Sequence, residues 1–199
     1  MFKIICVTDR KSCREDFFTR IEKIAAAKPD RIMFRDKNCD DGEYTKFAYK
    51  VLDISDKYDV PCSMYFHPEI FSNIHMTMTM LQHFPLSELN CLNFVGTSVH
   101  SVDEAVEAEK MGVDYAIAGH IFATQCKPDL APRGLDFLRS VCSAVKIPVY
   151  AIGGINAENI NEIARAGAAG ACIMSGFMTC ESPAEYIEKL REGAEISEF

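Results

Sequence analysis

The chain has 199 residues, 48% hydrophobic and 25% charged, which suffices for one full-sized core and leaves no stretch with the composition of an interdomain linker. A formal net charge of -8 argues against nucleic acid or an acidic membrane surface as partner, because both need clustered Lys and Arg. No apolar stretch approaches the length of a signal h-region or a bilayer span, so a single domain over residues 1–199 in the cytoplasm is expected.

Short apolar runs alternate with longer amphipathic ones. Residues 3–8 read as the first strand, and Phe17, Ile21, Ile24 and Ala25, three to four apart, predict a helix over 17–26. A strand over 31–35, a helix over 44–58 and a strand over 61–65 follow. Residues 74–79, a Met-Thr run, are assigned to a fourth strand, flanked by helical turns at 68–72 and 86–89. A fifth strand covers 93–99. Ser101 with Glu104 three residues later reads as a capping box for a helix over 102–111, whose first turns carry Asp103, Glu104 and Glu107, as the helix dipole prefers.

Strand six is predicted at 114–118, then a long loop, and a helix from Leu135 to Ala144. Strand seven spans 149–152, followed by a helix over 157–165, strand eight over 170–174 and a final helix over 183–192. Eight strand-helix repeats predict a single-domain (β/α)8 TIM barrel, with an open doubly wound sheet as the other arrangement of the same pattern. The nine cysteines contain no C-x-x-C pair, and in a cytosolic chain they are read mostly as buried small hydrophobes.

In such barrels the chemistry sits at the C-terminal ends of the strands. The loop after strand six carries His120, Thr124, Lys127 and Arg133 between glycines and prolines, and is read as the catalytic loop. Imidazole gives and takes protons near neutral pH, which singles out His120 beside Gly119. Ser98 and His100 are candidate neighbours, whereas His67, His75 and His83 receive no role. Gly153-Gly154 and Ser175-Gly176, after strands seven and eight, are read as a phosphate site, since backbone N–H groups there can face an anion. The alternative is that the glycines only serve tight turns. Arg35 and Lys37 share a face of an extended segment and either meet a second anion or form a solvated rim with Asp36, Asp40 or Asp41.

Taken together, Arg35-Asp36-Lys37, the run from Gly96 to Ser101, Gly119-His120-Ile121-Phe122-Ala123-Thr124, Lys127-Pro128-Asp129, Pro132-Arg133-Gly134, Ala151-Ile152-Gly153-Gly154-Ile155 and Ile173-Met174-Ser175-Gly176 resemble the thiamine phosphate synthase/TenI superfamily. The resemblance spans nearly the whole chain and implies a (β/α)8 barrel that binds phosphorylated thiazole or pyrimidine intermediates. Its synthase branch has Gly-Pro-Ile-Phe where this chain has Gly119-His120-Ile121-Phe122. That branch holds magnesium pyrophosphate through an Asn-Asp pair after strand three and an Asp after strand four. Here Tyr65-Phe66-His67 stand after strand three, and residues 77–86 contain no acid.

The tautomerase branch resembles the chain at Gly119-His120-Ile121-Phe122. The expectation is therefore a metal-independent thiazole tautomerase with His120 as acid-base residue and no cofactor. Gly153, Gly154, Met174, Ser175 and Gly176 would hold the phosphate, and Arg35 or Lys37 the carboxylate. Ser98, Thr124 and Lys127 would complete the substrate contacts. The alternatives are a thiamine phosphate synthase with altered metal ligation, in which case Mg²⁺ is the cofactor, and a catalytically silent phosphate-binding barrel. The expected partner is a phosphorylated thiazole-type small molecule, and a homodimer is left open.

Overall fold

The computed structural model describes residues 1–36, 39–126 and 128–195. Eight parallel strands close into one barrel in sequence order: β1 (Lys3–Val7), β2 (Arg31–Phe34), β3 (Cys62–Tyr65), β4 (Asn73–Thr77), β5 (Phe94–Val99), β6 (Tyr115–Gly119), β7 (Val149–Ile152) and β8 (Gly170–Ile173), with β8 pairing back onto β1. The helices are α1 (Phe17–Ala26), α2 (Asp41–Lys57), α3 (Met78–His83), α4 (Leu86–Leu89), α5 (Val102–Met111), α6 (Gly134–Ala144), α7 (Ile160–Arg165), α8 (Ser175–Thr179) and α9 (Pro183–Ala194). The (β/α)8 architecture expected from the alternation is the one observed.

Period-two alternation sorts the strand residues between two cores. Ile4 and Cys6 of β1, Ile32 and Phe34 of β2, and Ala116 and Ala118 of β6 pack outward against the helices. Ile5, Val7, Met33, Tyr115, Ile117 and Cys172 fill the barrel interior, with Phe94 and Tyr150 against them. The interior is a packed plug and not a channel, as is usual for eight strands. It forms the floor on which a site can stand.

Several boundaries differ from the periodicity, each for a local reason. The Met-Thr run is not one strand: β4 ends at Thr77, whose hydroxyl accepts from the Met80 N–H at 3.2 Å and starts α3, which buries Met78 and Leu81. Helix α2 begins a turn earlier than its apolar positions because the Asp40 carboxylate accepts from Glu43 N–H at 2.8 Å. Helix α7 begins later, since Asn156 Oδ1 accepts from the N–H groups of Glu158 and Asn159 and holds that stretch as a turn. At α5 Ser101 caps as expected, but Glu104 returns its carboxylate to the N–H of His100, not of Ser101. Of the nine free thiols only Cys6, Cys62 and Cys172 are buried, while Cys91 and Cys126 are exposed. The reading of the cysteines as mostly buried is thus corrected.

Candidate active site

The C-terminal mouth of the barrel holds a cavity of about 570 Å³. Its floor is the interior plug, Val7, Met33, Ile117 and Cys172, and its wall comes from the loops after nearly every strand. Of the residues singled out in the sequence, Arg35, Ser98, His120, Thr124, Gly153, Gly154, Met174 and Ser175 line it. Lys37 and Lys127 lie outside the described residues. Gly176 does not line the cavity: a Cβ there would fall inside the Tyr186 hydroxyl, so packing against α9 accounts for that glycine.

On the β7–β8 side the wall is backbone. Gly153 and Gly154 adopt left-handed φ of +104° and +67°, which an L side chain rarely takes. Close approach adds a second reason, because a Cβ on Gly154 would overlap the Ala123 carbonyl and one on Gly153 the His120 side chain. The N–H groups of Gly154 and Ile155 have no acceptor among the described residues. The same holds for the N–H of Ser175, which opens α8. Orphan N–H donors in glycine loops and at helix starts are the usual material of anion sites.

The opposite side is built from side chains. Arg35 continues β2 into the mouth, its backbone N–H held by Thr8 Oγ1 at 2.9 Å and its guanidinium over the Tyr65 ring at 5.5 Å. Asp36 turns the other way and is buried against Arg10, whose Nε lies 2.7 Å from its carboxylate; Arg10 also reaches Glu43 at 3.0 Å. Arg35 therefore faces the cavity without being matched to the neighbouring Asp36. After β3 the chain turns through Phe66 and His67, both left-handed at φ +68° and +62°. The His67 ring packs on Tyr44 at 4.6 Å and its Nδ1 meets Glu69 at 3.0 Å.

His120 is 5% exposed. Its Nε2–H donates to the carbonyl of Leu130 at 3.1 Å, and Arg133 donates from Nε to Gly119 O and from its backbone N–H to His120 O. These bonds close the base of the loop between β6 and α6. Ser98 does not partner His120; it lies 2.8 Å from His75 Nε2. His100 instead approaches Glu104 at 3.4 Å.

Sequence reasoning missed Asp9, which lines the cavity, and left His75 without a role; Tyr65, which stands after strand three, lines it too. The signal for His75 was present: Ile74 and Met76 at period two both face the helices, which turns the intervening His75 into the barrel.

The sequence profile of the TMP-TENI family, described as thiamine monophosphate synthase, matches residues 4–177. The chain belongs to this family. A thiamine-phosphate synthase of Clostridium acetobutylicum is 30% identical over 187 residues, covering 90% of this chain and 89% of that protein. One of Fusobacterium nucleatum is 30% identical over 197 residues, covering 94% and 96%. The solved thiamine phosphate pyrophosphorylase of Pyrococcus furiosus superposes with a TM-score of 0.83 at 28% identity, over 97% of this chain and 95% of that one.

These relatives overturn the tautomerase expectation and with it the isomerase class. That expectation weighed four residues at Gly119 to Phe122 and the missing acids after strands three and four, whereas similarity over nine-tenths of the chain runs to proteins called synthases.

The magnesium associated with the synthase branch can be tested against the donors present. At the ends of β3 and β4 stand Tyr65, Phe66, His67 and Thr77, none a carboxylate, and Glu69 is turned to His67. Asp9 is the one carboxylate lining the cavity among the described residues, and no group of three or more potential ligands clusters there. Magnesium takes hard oxygen ligands in octahedral geometry. The residues after β3 and β4 do not fit the ion.

Proposed function

We propose that the protein is a transferase of the thiamine-phosphate synthase type, coupling a pyrimidine pyrophosphate to a thiazole phosphate with release of pyrophosphate. Near-full-length similarity to proteins bearing that name carries the reading. The cavity supports it: at about 570 Å³ it has room for two small ring compounds side by side, with anion-holding groups at both ends.

In this reading the N–H groups of Gly154, Ile155 and Ser175 hold the thiazole phosphate. Arg35 meets the pyrophosphate across the mouth, where a guanidinium offers a fork to phosphate oxygens. The apolar floor of Val7, Met33 and Ile117 supports the rings and excludes water. The coupling itself asks no side chain to carry a proton between two carbons. His120 accordingly acts through its bond to Leu130, pinning the loop after β6 over the ligand. No magnesium is assigned to the ends of β3 and β4. No helix among the described residues is long and apolar enough to cross a membrane, and nine unpaired thiols suit a reducing cytoplasm.

The test is incubation of the purified protein with both substrates, with and without added Mg²⁺, following thiamine phosphate and pyrophosphate together. Stoichiometric appearance of the two supports the assignment. Neither product under either condition refutes it.

A further inference from the structure

Inside the barrel, beneath the cavity, three polar side chains from three strands lie in line. Gly96 of β5 pairs in register with both His75 of β4 and Tyr115 of β6. Because residue 96 has no side chain, the Tyr115 ring crosses β5 at this point; a Cβ on Gly96 would fall inside the ring. Tyr115 Oη thereby reaches His75 Nδ1 at 3.2 Å, and His75 Nε2 reaches Ser98 Oγ at 2.8 Å. His75 is 2% exposed and Tyr115 fully buried, while Ser98 opens onto the cavity.

Burial, and secondarily the charge of Arg35, pushes the His75 pKa down to about 3, so at neutral pH the ring carries one proton. Burial also pushes the Tyr115 phenol up and keeps it protonated. A neutral imidazole donates from one nitrogen and accepts at the other. If Nδ1 carried the proton it would donate to Tyr115 Oη, and the phenol proton would be buried with no acceptor among the described residues. If Nε2 carries it, Tyr115 donates to Nδ1, Nε2–H donates to Ser98 Oγ, and every buried group is satisfied.

We propose that Tyr115 and His75 are positioning residues, a one-directional relay that fixes the Ser98 oxygen as acceptor from His75 and leaves its hydroxyl proton to donate to an acceptor atom of the ligand. The Ser98–His75 contact is then not a nucleophile–base pair, because the nitrogen facing the serine is already protonated. Ser98 selects for a hydrogen-bond acceptor at that point of the cavity. The inference rests on the cavity being the ligand site, but not on which reaction occurs there.

The tautomer can be read without any ligand. In ¹⁵N-labelled protein, His75 is assigned by comparison with His75→Gln, and its Nδ1 is expected to be pyridine-like with the proton on Nε2. In Tyr115→Phe the fixed tautomer should give way to a mixture. A proton on Nδ1 in the wild type overturns the proposal. In steady-state coupling, Ser98→Ala should raise KM for one substrate about tenfold, the loss of one hydrogen bond, with kcat held within about threefold. Whether thiazole phosphate or pyrimidine pyrophosphate shows that rise identifies which one supplies the acceptor. Tyr115→Phe should show a smaller rise in the same KM, and Ser98→Thr should recover most of the loss. Unchanged KM in Ser98→Ala, or a covalent adduct on Ser98, overturns the relay. Should no coupling be found at all, the transferase reading fails by itself. Calorimetric titration of wild type and Ser98→Ala with thiazole phosphate and with inorganic pyrophosphate then decides the relay: about tenfold weaker binding of either by the variant supports it, and equal affinity for both overturns it.

Discussion

The two halves of the barrel mouth solve the same problem with different materials. On the β7–β8 side the wall is backbone: Gly154, Ile155 and Ser175 have N–H groups with no acceptor among the described residues. On the β3–β4 side the wall is side chains: Arg35 over Tyr65, the left-handed turn at Phe66 and His67, and the buried His75 behind Ser98. Backbone donors are fixed by the fold and insensitive to pH. A side-chain wall carries titratable groups and can be altered one residue at a time. The backbone half could be picked out in the sequence by its glycines and the opposite half by Arg35, whereas the His75–Ser98 contact could not.

The largest expected effect lies on the side-chain half. His75 has its folded pKa pushed below the ordinary value, to about 3, by burial. Between about pH 6.5 and 3 the unfolded chain binds a proton there that the folded chain refuses, so stability from this group is full above about 6.5 and is lost as pH falls toward 3. The ceiling is on the order of 5 kcal/mol. Urea unfolding of wild type and His75→Gln across this range measures it: the acid limb of the variant should be shallower. Parallel curves would mean that His75 is not held neutral.

On the backbone half, Gly154→Val combines a left-handed φ with overlap onto the Ala123 carbonyl and should lower stability by about 3 kcal/mol in thermal or urea unfolding. Its failure to bind phosphate would therefore not isolate the anion site. Ser175 is exposed, so Ser175→Glu should leave the melting temperature within a few degrees while weakening thiazole phosphate binding by about 10² through charge repulsion. Equal affinity by calorimetry would remove the phosphate from this rim.

The smallest effect sharpens the comparison from the other direction. With no carboxylate at the ends of β3 and β4, EDTA should change the coupling rate by less than about twofold. Loss of turnover, restored by Mg²⁺, would mean that a cation is held by groups other than those at these strand ends.

Local pattern and short-range chemistry determined much of this protein from the sequence alone. The 3.6 and 2 periodicities located eight strands and the longer helices but not α3 or α8, and Asp16, Ser101 and Ser182 cap α1, α5 and α9 through side-chain oxygens that bond to the backbone three residues on. The glycines after β7 announced a backbone that a ligand can approach. The tertiary structure decided what depends on strands brought side by side. Asp36 could have matched Arg35, but β1 is followed by Arg10, which takes it and leaves Arg35 to the cavity. Ser98 could have served His120, but β4 lies next to β5 and delivers His75 first. Tyr115 reaches His75 only because the intervening strand offers Gly96, a relation among residues 75, 96 and 115 that no window of sequence contains. Periodicity is a property of each strand alone, whereas partnership inside a barrel is fixed by register and closure, and these exist only once all eight strands are in place.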